Sequence, residues 1–176
     1  KISDGIVIFT AHGVSNAVRQ EAGRRNLTVM DATCEDVLST QQLVESASLA
    51  NQTIFYIGKS KHPEANSITE SYPHVFLIEK IQDIPQISTD SDIFVTNQTT
   101  MSKNDIEHII DAIIKQYPQA SIAREICAAT RLRQEAIEKI KDADALIVVG
   151  DPKSNNTRML EKIAIEHGIV HVYRIE

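Results

Sequence analysis

Short, near-continuous apolar runs separated by helix-length amphipathic segments constrain this chain most. The runs are Ile6–Phe9, Leu27–Met30, Ile54–Ile57, Val75–Ile78, Ile93–Val95, Leu146–Val149 and Val170–Val172, and they are rich in Ile, Val and Phe. Runs of this kind suit strands of a parallel sheet that is buried on both faces. Between many of them the apolar residues fall at helical spacing instead. Val37, Leu38, Gln41, Val44 and Ala47 mark one such face, and Ile106, Ile109, Ile110, Ile113 and Ile114 mark another. Ser102, followed by Asp105, reads as an N-cap with an acidic first turn. Ala136, Ile137 and Ile140 indicate a third helix, and Met159, Leu160, Ile163 and Ala164 a fourth. Strand alternating with helix specifies α/β architecture with right-handed crossovers.

In open α/β sheets, ligands bind beyond the carboxyl ends of the strands. Five stretches put polar or small residues at such ends: "VIFTAHGVS", "TVMDATC", "IFYIGKSKHPEA", "IFVTNQTTMS" and "LIVVGDPKSNNT". The segments least like strand or helix are residues 80–92, which contain Pro85, and the stretch around Gln119–Arg124, a further candidate break.

Composition narrows the functional classes. The chain has 176 residues, enough to bury a real core, with 42% hydrophobic and 24% charged residues. A net charge of −6 disfavours non-specific nucleic-acid binding, which wants a basic surface. No apolar run is long enough to span a bilayer, and nothing resembles a signal peptide, so a cytoplasmic setting without membrane or nucleic-acid partners is expected. The first residue is Lys1 rather than Met, which suggests part of a longer protein. Cys34 and Cys127 lie far apart and outside any C-x-x-C, so spacing does not suggest a zinc knuckle or a thioredoxin-like site, and a disulfide is not expected.

Each loop supports two readings. His12 can donate to an anion or help cap the following helix. In "KSKHPEA", Pro63 restricts His62 to extended backbone, which allows His62 to bind an anion while Glu64 moves a proton; the same residues also read as a helix start. "TNQTTMS" can order a water or a substrate hydroxyl, or simply cap a helix. In "GDPKSNNTRM", Ser154, Asn155 and Asn156 before a helix make a plausible phosphate cradle, although the P-loop pattern is absent. Cys34 and Cys127 are either inert buried thiols or thiolates favoured by helix starts. Two cysteines alone fall short of an ordinary iron–sulfur ligand set.

Taken in order, "FTAHGVS", "DATC", "HPEA", "NQTTMS", "ICAATRLRQEA" and "KSNNTR" resemble the 4-hydroxy-3-methylbut-2-enyl diphosphate reductase family, also called IspH or LytB. The resemblance implies Rossmann-like parallel sheets with helices on both faces, within a three-lobed architecture. Residues 1–34 would end the first lobe, 35–122 form the second and 123–176 begin the third. It implies an iron–sulfur oxidoreductase that removes the hydroxyl of an allylic diphosphate to give isopentenyl and dimethylallyl diphosphates, the last step of the non-mevalonate isoprenoid pathway. The electrons would come from a donor such as ferredoxin or flavodoxin. Cys34 and Cys127 match two ligands of a [4Fe–4S] cluster, with a third cysteine expected upstream. His12 and His62 match diphosphate-binding histidines, Glu64 the acid in proton delivery, and Thr99 the threonine at the substrate hydroxyl. Ser154, Asn155 and Asn156 match a Ser-Ser-Asn diphosphate run, with Asn155 replacing the middle serine. The sequence departs from the family in lacking the first cysteine motif, a nearby histidine and a C-terminal serine. It also reads "DATCEDVLST" where the family continues with Pro, and has Ala128 where a tyrosine is common. A non-enzymatic α/β module that binds a small phosphorylated ligand is the alternative from another class. A degenerate or truncated relative with a structural role is a third reading.

Overall fold

In a computed structural model describing residues 2–176, the chain forms three parallel sheets. The first pairs β1 (Ile6–Phe9) with β2 (Thr28–Asp31) across α1 (Asn16–Arg24). The second has the order β4-β3-β5-β6. It contains β3 (Thr53–Ile57), β4 (Val75–Ile78), β5 (Ile93–Asn97) and β6 (Ser121–Ile122), and it is preceded by α2 (Glu35–Leu49). Helix α3 (Pro63–Thr69) joins β3 to β4, and α4 (Lys103–Gln116) joins β5 to β6. The third sheet pairs β7 (Ala145–Val149) with β8 (His171–Ile175) across α6 (Asn155–Glu166), after α5 (Ala128–Glu138). Every strand pairing among the described residues is parallel.

Period-two alternation explains the central core. Phe55, Ile57, Ile93 and Val95 point to one face, where Ile106, Ile109, Ile110 and Ile113 of α4 and Tyr117 cover them. Ile54, Tyr56 and Phe94 point to the other, against Val44 and Ala47 of α2 and Ala65 and Ile68 of α3. Helices therefore cover both faces, and each fully buried Ile or Phe contributes roughly 1.5–3 kcal/mol. A smaller core of Ile137, Ile163, Ala164 and Ile169 holds the third sheet to its helices.

The expectation of strands buried on both faces holds for β3 and β5 but not for the outer sheets. In β2 all four residues are exposed, and in β7 only Val148 is buried. The candidate break at Gln119–Arg124 instead contains β6, a two-residue edge strand carrying Ser121 and Ile122. Ile140 lies beyond α5, whose C-cap is Lys139. Within the loop at 80–92, Ile81–Asp83 form a single 3-10 turn.

Candidate active site

The carboxyl ends of β1, β3, β5 and β7 bring their loops together. After β1, Gly13 has φ +73, and a Cβ there would stand 2.6 Å from Gln41 Nε2, so a side chain after His12 would be strained and would displace Gln41. His12 does not cap α1; Ser15 occupies that position. After β3, His62 is the N-cap of α3, and its Nδ1 accepts the Glu64 N–H at 3.2 Å. The helix-start reading of "HPEA" is thus correct, and the cap also fixes the histidine. With Nδ1 an acceptor, the ring proton sits on Nε2. Burial, then the His12 and Arg158 charges, push the His62 pKa down to about 4, so the ring is a neutral donor at neutral pH. The His12 and His62 rings meet edge-on with centroids 5.0 Å apart.

After β7, Ser154 caps α6 by accepting the Thr157 N–H at 3.3 Å, which leaves its hydroxyl proton to donate elsewhere. Asn155 is buried, and its amide nitrogen donates to the Thr100 carbonyl at 2.7 Å, tying the β7 loop to the β5 loop. Asn156 Oδ1 is buried without a hydrogen-bond partner among the described residues, a polar atom that a ligand can satisfy. His12, His62, Thr100, Lys153, Ser154, Asn155 and Asn156 line one cavity of about 350 Å³, together with Pro63 and Asp151. Its donors stand beside the first turn of α6, where orphan N–H groups favour anions.

Glu64 and Thr99 do not line this cavity. Both are buried behind its wall, next in sequence to Pro63 and Thr100. Glu64 Oε1 accepts the Thr99 N–H at 2.8 Å and the Tyr56 hydroxyl at 3.2 Å, while Oε2 meets Thr99 Oγ1 at 3.0 Å. A backbone N–H can only donate, so Oε1 is an acceptor in every protonation state. The proton of neutral Glu64 therefore belongs on Oε2, facing the threonine hydroxyl. Burial pushes the Glu64 pKa up to about 7 against the opposing hydrogen bonds from Thr99 and Tyr56. Burial and the neighbouring Glu64 charge hold the Tyr56 phenol well above its ordinary value, so it stays a hydroxyl. In the sequence Tyr56 reads as one more large residue of an apolar strand, and its alternation toward α3 is the only signal of its role.

The two thiols flank the same centre. An Asp31–Thr33 turn positions Cys34, with Thr33 N–H donating to Asp31 Oδ1 at 3.0 Å. The Cys34 N–H donates to the Ala11 carbonyl at 3.0 Å, next to His12, and the Cys127 N–H to the Thr99 carbonyl at 3.1 Å. Both thiols are free, half-buried and at helix N-caps, Cys34 of α2 and Cys127 of α5. Asp36 stands beside them, and Glu125 is pushed up by burial and then by the Asp36 charge. Paired thiols, free and half-buried, are soft donors whose chemistry suits an iron–sulfur group.

Fold and site define an α/β protein whose parallel sheets bring a cavity lined by polar side chains, a buried carboxyl–hydroxyl pair and two thiols to neighbouring loops. The family described as LytB protein matches residues 1–176, and the chain belongs to that family. A relative from Brevibacillus brevis, named 4-hydroxy-3-methylbut-2-enyl diphosphate reductase, is 44% identical over 99% of this chain and 57% of its own length. One of the same name from Bacillus mycoides is 47% identical over 99% of this chain and 56% of its own. The solved Plasmodium falciparum E-1-hydroxy-2-methyl-but-2-enyl-4-diphosphate reductase superposes with a TM-score of 0.94 at 28% identity, covering 99% of this chain and 56% of that one. A second solved reductase, described as the terminal enzyme of the non-mevalonate pathway, superposes at 0.69 with 25% identity over 97% of this chain and 62% of its own. The chain thus spans little more than half the length of the curated relatives it matches.

Proposed function

We propose that the whole protein to which this chain belongs is a reductase that dehydroxylates 4-hydroxy-3-methylbut-2-enyl diphosphate to isopentenyl and dimethylallyl diphosphates. The observation that carries this reading is the convergence of His12, His62, Ser154 and Asn156 on one cavity, with a protonatable carboxyl behind its wall. In this reading the three sheets belong to three lobes, divided near residues 34 and 122. Cys34 and Cys127 would hold a [4Fe–4S] cluster together with a cysteine from elsewhere in the protein. That cluster, when bound, supplies the electrons delivered by a ferredoxin- or flavodoxin-like donor. Among the described residues no helix is long and apolar enough to cross a membrane, and a cytoplasmic setting fits this chemistry.

The chain's own residues do the positioning and the proton work. His62 Nε2–H, His12, the Ser154 hydroxyl and the Lys153 ammonium offer the diphosphate a fan of donors, and the α6 N-terminus adds backbone N–H groups. Asn155 serves that fan by locking the β7 loop to Thr100. Anchoring the diphosphate fixes the far end of the substrate relative to Thr99. The Glu64 Oε2 proton passes to Thr99 Oγ1 as the threonine proton passes to the departing hydroxyl, which leaves as water; the two electrons from the donor and a second proton, drawn from solvent, complete the product's C–H bond. A pKa near 7 suits an acid that must hold its proton at neutral pH and still release it.

The test is Glu64→Gln and His62→Ala in the full-length enzyme, followed by turnover with a chemical reductant and by substrate affinity. Glu64→Gln should keep substrate affinity and lose about 10²–10⁴-fold in turnover, the usual worth of a general acid. His62→Ala should act chiefly on affinity. Turnover of Glu64→Gln near the parent rate would defeat the assigned proton role. Tight substrate binding with no turnover in the loaded parent would favour a phosphorylated-ligand module.

A further inference from the structure

Tyr56 is a phenol in a place where the core asks only for an apolar side chain. In β3, "TIFYI", Ile54 and Tyr56 point to the face covered by α2 and α3. Tyr56 is fully buried there, with Val44 and Ala47 of α2, Ala65 and Ile68 of α3 and Phe94 of β5 in the same core. A leucine or isoleucine would fill that role. The phenol oxygen instead reaches Glu64 Oε1 at 3.2 Å. Gly58 leaves room for the ring, since a Cβ at that position would stand 3.0 Å from Tyr56 Cε1.

The consequence lies in the lone pairs of the carboxyl. Each of its oxygens can accept about two hydrogen bonds. On Oε1 the Thr99 N–H takes one place at 2.8 Å and the Tyr56 hydroxyl takes the other. On Oε2 stands Thr99 Oγ1, at 3.0 Å. A proton on Oε1 would displace one of the two donors and leave it unpaired in a buried site, which costs free energy. With the Thr99 N–H alone, one place on Oε1 would stay open, and the carboxyl could carry its proton there, away from the threonine hydroxyl. Tyr56 closes that place. The phenol keeps its own proton, because burial and then the Glu64 charge hold it well above its ordinary range. The elements packed around the carboxyl bring Tyr56 from β3, Thr99 from the loop after β5 and apolar side chains from α2. His62, at the start of Glu64's own helix, is neutral at neutral pH and is engaged by the Glu64 N–H.

We propose that Tyr56 is a positioning residue that selects the oxygen of Glu64 from which the proton is delivered, by completing the donor pair on Oε1 and leaving Oε2 to face Thr99. The inference rests on the reading of Glu64 as the acid, and it adds the group that aims it. The same bond favours the ionised carboxyl, so Tyr56 also makes Glu64 readier to release its proton than burial alone would allow.

The experiment is Tyr56→Phe in the full-length, cluster-loaded enzyme, with Tyr117→Phe as control. Tyr117 is equally buried on the opposite face of the sheet, and its hydroxyl donates to the Pro85 carbonyl at 2.6 Å, away from Glu64. Tyr56→Phe removes one oxygen, keeps the ring and leaves Oε1 the Thr99 N–H. The first readout needs no turnover. Infrared difference spectra across pH, recorded without substrate, show the C=O stretch of neutral Glu64, identified by its absence in Glu64→Gln. Losing a donor on Oε1 should raise the frequency of that band and move its titration midpoint up by about one pH unit. The second readout is the pH profile of turnover with a chemical reductant. Its alkaline limb should move up by the same amount, with turnover below the limb reduced about tenfold, the usual effect of one hydrogen bond to a charged group. KM should stay where it is, because Tyr56 does not line the cavity. Tyr117→Phe should move neither the band nor the limb. An unmoved band in Tyr56→Phe, or an equal movement in Tyr117→Phe, would overturn the proposal. A band that moves while the limb of turnover stays would overturn the proton-directing role, and the Glu64→Gln test then tells whether Glu64 or Tyr56 was misread.

Discussion

The central sheet and the third sheet are built from similar apolar runs and are buried very differently. In β3, "TIFYI", Ile54 through Ile57 are fully buried; in β7, "ALIVV", Ile147 is 59% exposed and Val149 70%. Strand composition does not explain this difference, because β7 is the more aliphatic of the two. Neighbours explain it. β3 has strands on both edges, α4 on one face and α2 with α3 on the other, whereas β7 pairs with β8 alone. An apolar run therefore states what a strand is able to bury, and the layers around it decide what is buried.

The largest effect should come from testing that contrast directly. Phe55→Ala removes a fully buried ring that meets Phe76 and Tyr117 edge-on, and it should cost about 3–5 kcal/mol. Ile147→Ala removes a side chain that is more than half in solvent and should stay within about 0.5 kcal/mol. Urea unfolding of the chain and of both variants measures this. Comparable losses would mean that Ile147 is covered in solution and that the contrast between the sheets is false.

A second comparison sets two titrating groups of the central unit against each other. The Glu64 pKa rises from 4.5 to about 7 on folding, so the folded state holds a proton that the unfolded chain releases between those values. Its contribution is present below about pH 4.5 and is lost as pH rises to about 7, to the extent of about 3 kcal/mol. His62 has the opposite sign: its pKa falls from 6.5 to about 4, so its contribution is present above 6.5 and lost as pH falls toward 4. The two slopes oppose each other between about 4.5 and 6.5, and above that Glu64 acts alone. Glu64→Gln should therefore turn a nearly flat stability profile into one that rises with pH up to about 6.5 and then levels. Urea midpoints from about pH 5 to about pH 8 read this, and an unchanged profile would remove Glu64 as a group that titrates near neutrality.

Much of this molecule was legible in its sequence because the signals were local. Runs such as Val75–Ile78 and Ile93–Val95 are strands, and Ile106, Ile109, Ile110 and Ile113 of α4 face the core, whereas Ile114, read onto the same face, is exposed because it lies at the edge of that stripe. Polar loops after those runs had to gather at one edge once the sheets were parallel. What escaped was either too short or too distant in sequence. Ser121–Ile122 is two residues long and offers no period to read. The role of Tyr56 depends on a carboxyl eight residues away that α3 folds back over the strand. Asp36 reaches the start of α5 across 92 residues, a meeting that only tertiary structure creates. His12 had a helix start nearby but not the capping position, because Ser15 lies closer to the first turn.

The smallest expected effect sharpens the comparison most, because it uses one chemical feature in both regions. Ser102 and Ser154 are both N-cap serines, accepting from Asp105 N–H at 3.1 Å and Thr157 N–H at 3.3 Å. Ser102 is buried at the start of the helix that covers the central core, and Ser154 opens onto the anion cavity. Replacing either with alanine removes one acceptor for an orphan N–H, typically worth about 1 kcal/mol. Ser102→Ala should show that loss in urea and leave pyrophosphate affinity unchanged. Ser154→Ala should show a similar or smaller loss in urea together with weaker pyrophosphate binding, because the proton its hydroxyl offers the anion goes with it. Titration calorimetry with pyrophosphate, set beside the unfolding curves, separates the two. If both variants lost stability alone, Ser154 would be a cap and nothing more, and the anion would have to be held by His12, His62, Lys153 and the backbone of α6.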